Sequence, residues 1–276
     1  MNAKFSSISK RGQTTLRSPL RIYKEAPCPA LSAIVRRFLV IEFPTSYHDV
    51  HLPDSDAVAA FSFRGVCRIN GDQSAPPTAF TGPRDFLRAH EHRDSHAVLL
   101  VIFTPVGAHT FLRSPLDEIA GSTVNLTDVT GNRNDLSSLN EQLVIAHNHR
   151  RRVAVVERFL LSRVHPAKPD PLIGAAVAWL DQGTAGRRRI DDLARYIGLS
   201  QSALERRFRR VVGLSPKNYA SLARLRHAVR LQATGADLTT VAHSAGYSDQ
   251  SHFIKDFRRA TGSAPSTFFR RQNSAA

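Results

Sequence analysis

The C-terminal part of this 276-residue chain writes one pattern twice, and that repetition restricts its fold more than any other feature. From Leu193 the residues run LARYIGLSQSALERRFRRVVGLSPKNY; from Val241 they run VAHSAGYSDQSHFIKDFRRATGSAPSTF. Ala194/Ala242, Gly198/Gly246 and Ser200/Ser248 align at an offset of 48. After a one-residue insertion Phe208/Phe257, Arg209/Arg258, Arg210/Arg259, Gly213/Gly262 and Pro216/Pro265 align at 49.

Each repeated position has a physical reason. Ala194 and Ala242 are small where two helices cross closely. Gly198 and Gly246 supply the positive φ of a tight interhelical turn. Ser200 and Ser248 are suited to cap a second helix by accepting a backbone N–H. Phe208 and Phe257 lie on the inner face of that helix and pin it to a core. Gly213 and Gly262 end it, and Pro216 and Pro265 open the next helix at its first turn. The pattern predicts two helix-turn-helix units in an all-α region. Its helices are expected at Pro171–Leu180, Ile190–Ile197, Ser202–Val212, Pro216–Thr234, Thr239–Ala245, Gln250–Thr261 and Pro265–Arg271. The long Pro216–Thr234 helix joins the units; at ~1.5 Å per residue it could set two readers about one turn of DNA apart, ~34 Å.

The stretch Ala242–Arg270 carries Ala, Gly-Tyr-Ser, Ser-His-Phe, Phe-Arg-Arg, Gly, Pro and a closing Phe269-Arg270. In this it resembles the AraC/XylS family of transcription regulators, and the resemblance extends over residues 170–271. Ala264 departs from it, since the family usually has Ser or Thr before the proline, which weakens a helix cap. The resemblance implies a base-facing set of Ser202, Glu205 and Arg206 in the first unit, matched by Gln250, Ser251, His252 and Lys255 in the second. Arg pairs bidentately with guanine, a carboxylate accepts from cytosine, and Gln reads adenine. Arg209, Arg210, Arg258, Arg259 and Arg270 fit phosphate contacts, which give affinity and register rather than sequence. Arg187-Arg188-Arg189 is a flanking phosphate contact or a polar loop.

Charge supports a polyanion partner handled by this region. The formal net charge is +15, divided as +5 over residues 1–26, +1 over 27–169 and +9 over 170–276. Cys28 and Cys67 have neither disulfide-framework nor metal spacing and read as reduced thiols. No apolar run reaches the ~18 residues of a membrane span, and the N-terminus lacks an apolar signal core. A cytoplasmic location is therefore expected.

The remaining sequence predicts a two-domain α+β protein. Residues 1–26 read as a basic, disordered tail. Residues 27–164 read as a β-rich domain weakly resembling a cupin-like barrel, with strands at Arg36–Glu42, Ala57–Phe63, Thr78–Thr81 and His96–Phe103. Two helices follow at Asp135–His147 and Arg151–Val164, the latter packing on its own domain or forming a dimer seam. Three prolines in His165–Pro171 mark the linker, and the DNA-binding domain occupies residues 172–276. The resemblance implies a sensor in the β-rich half and, as partners, double-stranded DNA, RNA polymerase and a small-molecule effector, with the chain a monomer or homodimer.

His48, His51, His90, His92, His96 and His109 invite a metal. The AHEHRDSH stretch is polar and turn-like, however, so no metal, cofactor or catalytic residue is assigned. Two other classes stand beside a non-enzymatic regulator. One is a cupin-type metal-dependent enzyme fused to a DNA reader. The other is a non-specific architectural DNA binder, disfavoured by Glu205, which would only weaken phosphate attraction.

Overall fold

The computed structural model describes residues 20–273, apart from 44, 72, 113, 132, 164–168 and 183–188. The N-terminal half is one antiparallel sheet: β1 (Arg21–Glu25), β2 (Val35–Glu42), β3 (Tyr47–His51), β4 (Val58–Ile69), β5 (Gln73–Ser74), β6 (Thr78–Thr81), β7 (Arg88–Phe103) and β8 (Thr123–Asn125). The strand order is β1-β2-β7-β4-β6-β8, with β3 on the other half of β7 and β5 on the end of β4. Strand β7 is the spine. Its second half pairs β2, its first half pairs β3, and β4 runs beside it from Val58↔Ile102 to Ile69↔His90.

Period-two alternation gives this sheet two buried faces. Phe38, Val40, Phe61, Leu99 and Val101 face a helical layer. That layer holds α1 (Gly107–Leu112), α2 (Leu126–Thr130), α3 (Arg133–Ile145) and α4 (His149–Arg163). Leu39, Ile41, Val98 and Ile102 point the opposite way. Residues of β1, β2, β3, β4, β6, β7 and β8 together line one cavity there, so the sheet curls around its second face. The α4 stripe Val153, Val156, Phe159 and Leu160 is buried in its own domain, the first of the two alternatives the sequence left open.

Three features differ from expectation. Arg21–Glu25 falls within the expected tail but forms β1, because Val40 and Ile41 of β2 offer it a paired edge; residues 1–19 of that tail lie outside the described residues. Tyr47–His51 is a strand that the sequence hid in polar residues. AHEHRDSH is not a turn but the first half of β7, paired to β3 and β4 at once. Its turn-like composition serves a bend: Asp94 and Ser95 take φ of 56° and 51°, opposite Gly65 at 65°. A Cβ on Gly65 would lie 2.5 Å from the Arg93 carbonyl oxygen, so only glycine lets the strands approach there.

The C-terminal half is all-α: α5 (Pro171–Gln182), α6 (Ile190–Ile197), α7 (Gln201–Val212), α8 (Pro216–Gln232), α9 (Leu238–Ser244), α10 (Gln250–Thr261) and α11 (Pro265–Asn273). Two cores form, one per repeat. Ile173, Leu193, Leu204, Phe208 and Tyr219 build the first; Leu222, Leu225, Val241, Phe253, Phe257 and Phe268 build the second. Helix α8 supplies Tyr219 to one core and Leu222 and Leu225 to the other, so it ties the two units rigidly. Residues 165–168 of the expected linker lie outside the described residues.

Candidate nucleic-acid interface

The two units repeat the same local chemistry. Gly198 and Gly246 turn the chain at φ 74° and 80°, and Gly213 and Gly262 end α7 and α10 at 81° and 67°. Ser200 caps α7, accepting from Ala203 N at 3.2 Å. Ser248 does not do the same for α10. Asp249 takes that role, accepting from His252 N at 2.7 Å, while Ser248 donates to the Asp249 carboxylate. The inserted residue thus sits in the turn, ahead of the cap. That cap bond and the Ser248 hydroxyl hold the fully exposed Asp249 carboxyl below the usual range.

Helical spacing sorts the side chains of α7. Leu204, Phe208 and Val211 are buried, whereas Ser202, Arg206, Arg209 and Arg210 are exposed and Glu205 is half-buried. On α10, Phe253 and Phe257 are buried, and Gln250, Ser251, His252, Lys255, Arg258 and Arg259 are exposed. Arg206, Arg209, Arg210, Lys255 and Arg258 make no ion pair among the described residues. Arg259 is engaged, lying 3.2 Å from Asp256. Arg270 lies in α11, but its side chain is outside the described set, as are Arg187 and Arg188; Arg189 pairs with Asp191 at 3.5 Å.

Sequence reading missed two residues that hold the units in place. Arg207 grips Asp170 at the start of α5 with two bonds of 2.6 and 3.1 Å. Its repeat partner is Asp256, buried on α10 and 3.4 Å from the Ser221 hydroxyl of α8. Opposite charges stand at equivalent positions because each docks its helix against a different neighbour.

A helix-turn-helix domain model matches residues 193–271. These residues therefore form a helix-turn-helix domain. The HTH-type transcriptional activator RhaS of Pectobacterium carotovorum is 33% identical over 94 residues, 34% of this chain and 34% of that one. The match thus spans about a third of that relative's length. RhaS of Shigella flexneri is 26% identical over 261 residues, 86% of this chain and 91% of its own. A solved structure of ToxT from Vibrio cholerae is 13% identical with a TM-score of 0.46, covering 92% of this chain and 98% of that one. No helix among the described residues is long and apolar enough to cross a membrane.

The helix-turn-helix domain is packed against the β-rich half through α7 and α8. At the end of α7, a Cβ on Gly213 would lie 2.6 Å from Pro83 Cγ and 3.1 Å from the Leu116 carbonyl oxygen. Asn218 donates to Asp85 at 3.4 Å. Arg226 donates to Asp54 at 3.2 Å and to the Ser55 hydroxyl. Beside them the buried Asp56 carboxylate lies 2.9 Å from Arg36. Burial, and then the neighbouring Asp54 charge, push Asp56 up to about 7 against the pull of Arg36 and Arg226.

Asp54 and Asp56 also line the cavity of the β-rich half, a space of about 190 Å³. Ile22, Ile41, Val58 and Leu100 make it apolar on one side; Asp49, His51, His90, His92 and His96 make it polar on the other. Four of the six candidate histidines are therefore together. His48 is not among them, lying 3.4 Å from Glu91, and His109 sits on α1 against the Ser114 carbonyl. Burial lowers His96 to about 4 and His90 well below the usual imidazole value, so both stay neutral. Burial disfavours the Asp49 carboxylate, but the neighbouring His51 and His92 rings outweigh it and keep the group ionised. Cys67, on the same wall, is pushed up to about 12 by burial and nearby carboxylates, which makes it an inert thiol.

Proposed function

We propose that this chain is a sequence-specific, DNA-binding transcription regulator rather than an enzyme, working in the cytoplasm. Both helix-turn-helix units engage successive major-groove segments of one duplex. Ser202, Glu205 and Arg206 face bases from α7, and Gln250, Ser251, His252 and Lys255 do so from α10. Arg209, Arg210, Arg258, Arg259 and Arg270 hold phosphates. The observation that carries the reading is the exposed, unpaired cationic face of α7 on a matched helix-turn-helix domain. The 17-residue α8, about 26 Å long at ~1.5 Å per residue, joins the two units into one reading body. The β-rich residues 27–164 act as the sensor domain, receiving a small-molecule effector in the cavity and passing its state to residues 172–276 through the Arg226 contacts. RNA polymerase is the downstream partner, with the regulator acting as a monomer or homodimer.

The test compares two charge-equivalent losses from one helix. Arg206→Ala should cost ~1–3 kcal/mol on the preferred site and relax discrimination at one base pair. Arg209→Ala should weaken preferred and scrambled DNA alike and reduce the salt slope by about one phosphate contact. Selection of the full chain against a random DNA pool supplies the preferred site. A pool without enrichment returns a charge-driven architectural binder, and equal losses on both DNAs for Arg206→Ala remove that residue from base reading.

A further inference from the structure

We propose that Asp49, His51 and His90 form a binding site for a divalent first-row transition metal, with His92 beside it. The strand pleat creates the site. Asp49 of β3 and His90 of β7 are direct cross-strand partners, and His51 and His92 stand two residues along on the same sides of their strands. One ligand atom from each of Asp49, His51 and His90 falls within 4.8 Å of the others. Against Asp49, the nitrogens lie 3.1 Å (His51 Nε2), 3.9 Å (His90 Nδ1) and 3.4 Å (His92 Nε2) away. Tetrahedral bonds of ~2.0–2.1 Å place neighbouring ligand atoms about 3.3 Å apart. Measured from the Asp49 carboxylate, the nitrogens are near that spacing before any ion arrives.

Two buried polar atoms point to an ion as well. Asp49 Oδ1 and His92 Nε2 are both buried without a hydrogen-bond partner, although only 3.4 Å separates them. A chain of ring contacts accounts for this. His92 Nδ1 lies 2.8 Å from His96 Nδ1, and His96 Nε2 lies 2.9 Å from the Ser62 hydroxyl. When His92 Nδ1–H donates to His96, the far nitrogen of His92 presents a bare lone pair to a carboxylate oxygen. A cation held at Asp49 satisfies both atoms, whose burial would otherwise cost free energy. Imidazole nitrogens with one carboxylate suit zinc, cobalt or nickel, whereas calcium and magnesium take oxygen-only sets.

The experiment uses the full chain, stripped with chelator and titrated with Co²⁺ and then Zn²⁺. One equivalent of Co²⁺ should bind with ligand-field absorption, and Zn²⁺ should displace it. Asp49→Asn and His90→Gln should each weaken binding by tenfold or more, while His48→Ala should leave it unchanged. Footprinting of the unaltered protein removes dependence on how the variants fold. Zn²⁺ should shield His51 and His90 from acylation by diethylpyrocarbonate, read peptide by peptide in a mass spectrometer; their side chains are 24% and 21% exposed and open to the reagent. Absence of Co²⁺ binding, binding indifferent to Asp49→Asn and His90→Gln in folded protein, or unprotected His51 and His90 would each overturn the proposal. None of these readouts involves DNA, so they stand or fall apart from the DNA-reading assignment.

Discussion

Gly213 and Gly262 form a matched pair for measuring how firmly the helix-turn-helix domain is held against the β-rich half. Each ends the second helix of its unit in the left-handed region, at φ 81° and 67°. Alanine at either position meets the same backbone penalty, ~1–2 kcal/mol. Their surroundings differ. Nothing lies within 4 Å of a Cβ on Gly262, whereas a Cβ on Gly213 would meet the Pro83 ring at 2.6 Å. The proline ring and the Leu116 backbone cannot swing aside as a long side chain would. Gly213→Ala therefore adds an overpacking cost of ~1–3 kcal/mol. Urea unfolding of the full chain should give a loss of ~1–2 kcal/mol for Gly262→Ala and ~2–5 kcal/mol for Gly213→Ala. Limited proteolysis under native conditions should cut Gly213→Ala faster than Gly262→Ala. Equal losses for the two variants, with equal cutting, would refute the packing of α7 against Pro83 and Leu116.

Three further outcomes are expected. Gly246→Val forces a β-branched residue to φ 80° and should cost on the order of 1–3 kcal/mol, lowering thermal stability and DNA affinity together; an unchanged protein would misplace the second turn. Asp56→Asn should flatten the pH dependence of stability. The native carboxyl, at about 7, keeps its proton where the unfolded one, near 3.8, has lost it. Its contribution is complete below pH ~4 and lost as pH rises through ~7, so thermal melts of the wild type should decline against the variant across that window. Ala264→Ser restores a hydroxyl where Ser215 caps α8 by accepting from Asn218 N at 3.1 Å. It should stabilise the second unit by ~0.5–2 kcal/mol, read by chemical denaturation.

The helical half was legible from local signals because its information is local. Caps, left-handed glycines and helix-opening prolines act within one turn of chain, so Ile190–Ile197 and Gln250–Thr261 appear in the structure with the bounds their sequence predicts. The cap of α10 was misassigned to Ser248 because Ser and Asp are equally good caps, and only the backbone shows which residue precedes the helix. The β-rich half kept its main contents from view. Nothing in RIYKE or YHDVH distinguishes a strand from a loop until β2 and β7 offer edges to pair with. The histidines of AHEHRDSH looked like a turn because their neighbours are polar. Pairing with β3 across a sequence distance of some forty residues aligns His90 with Asp49, a register set by tertiary contacts. Composition likewise placed positive charge in the C-terminal half without telling bound arginines from free ones. That division came from packing: Arg207 and Arg226 found carboxylates within reach, and Arg206 and Arg209, on the outer face of the same helix as Arg207, did not.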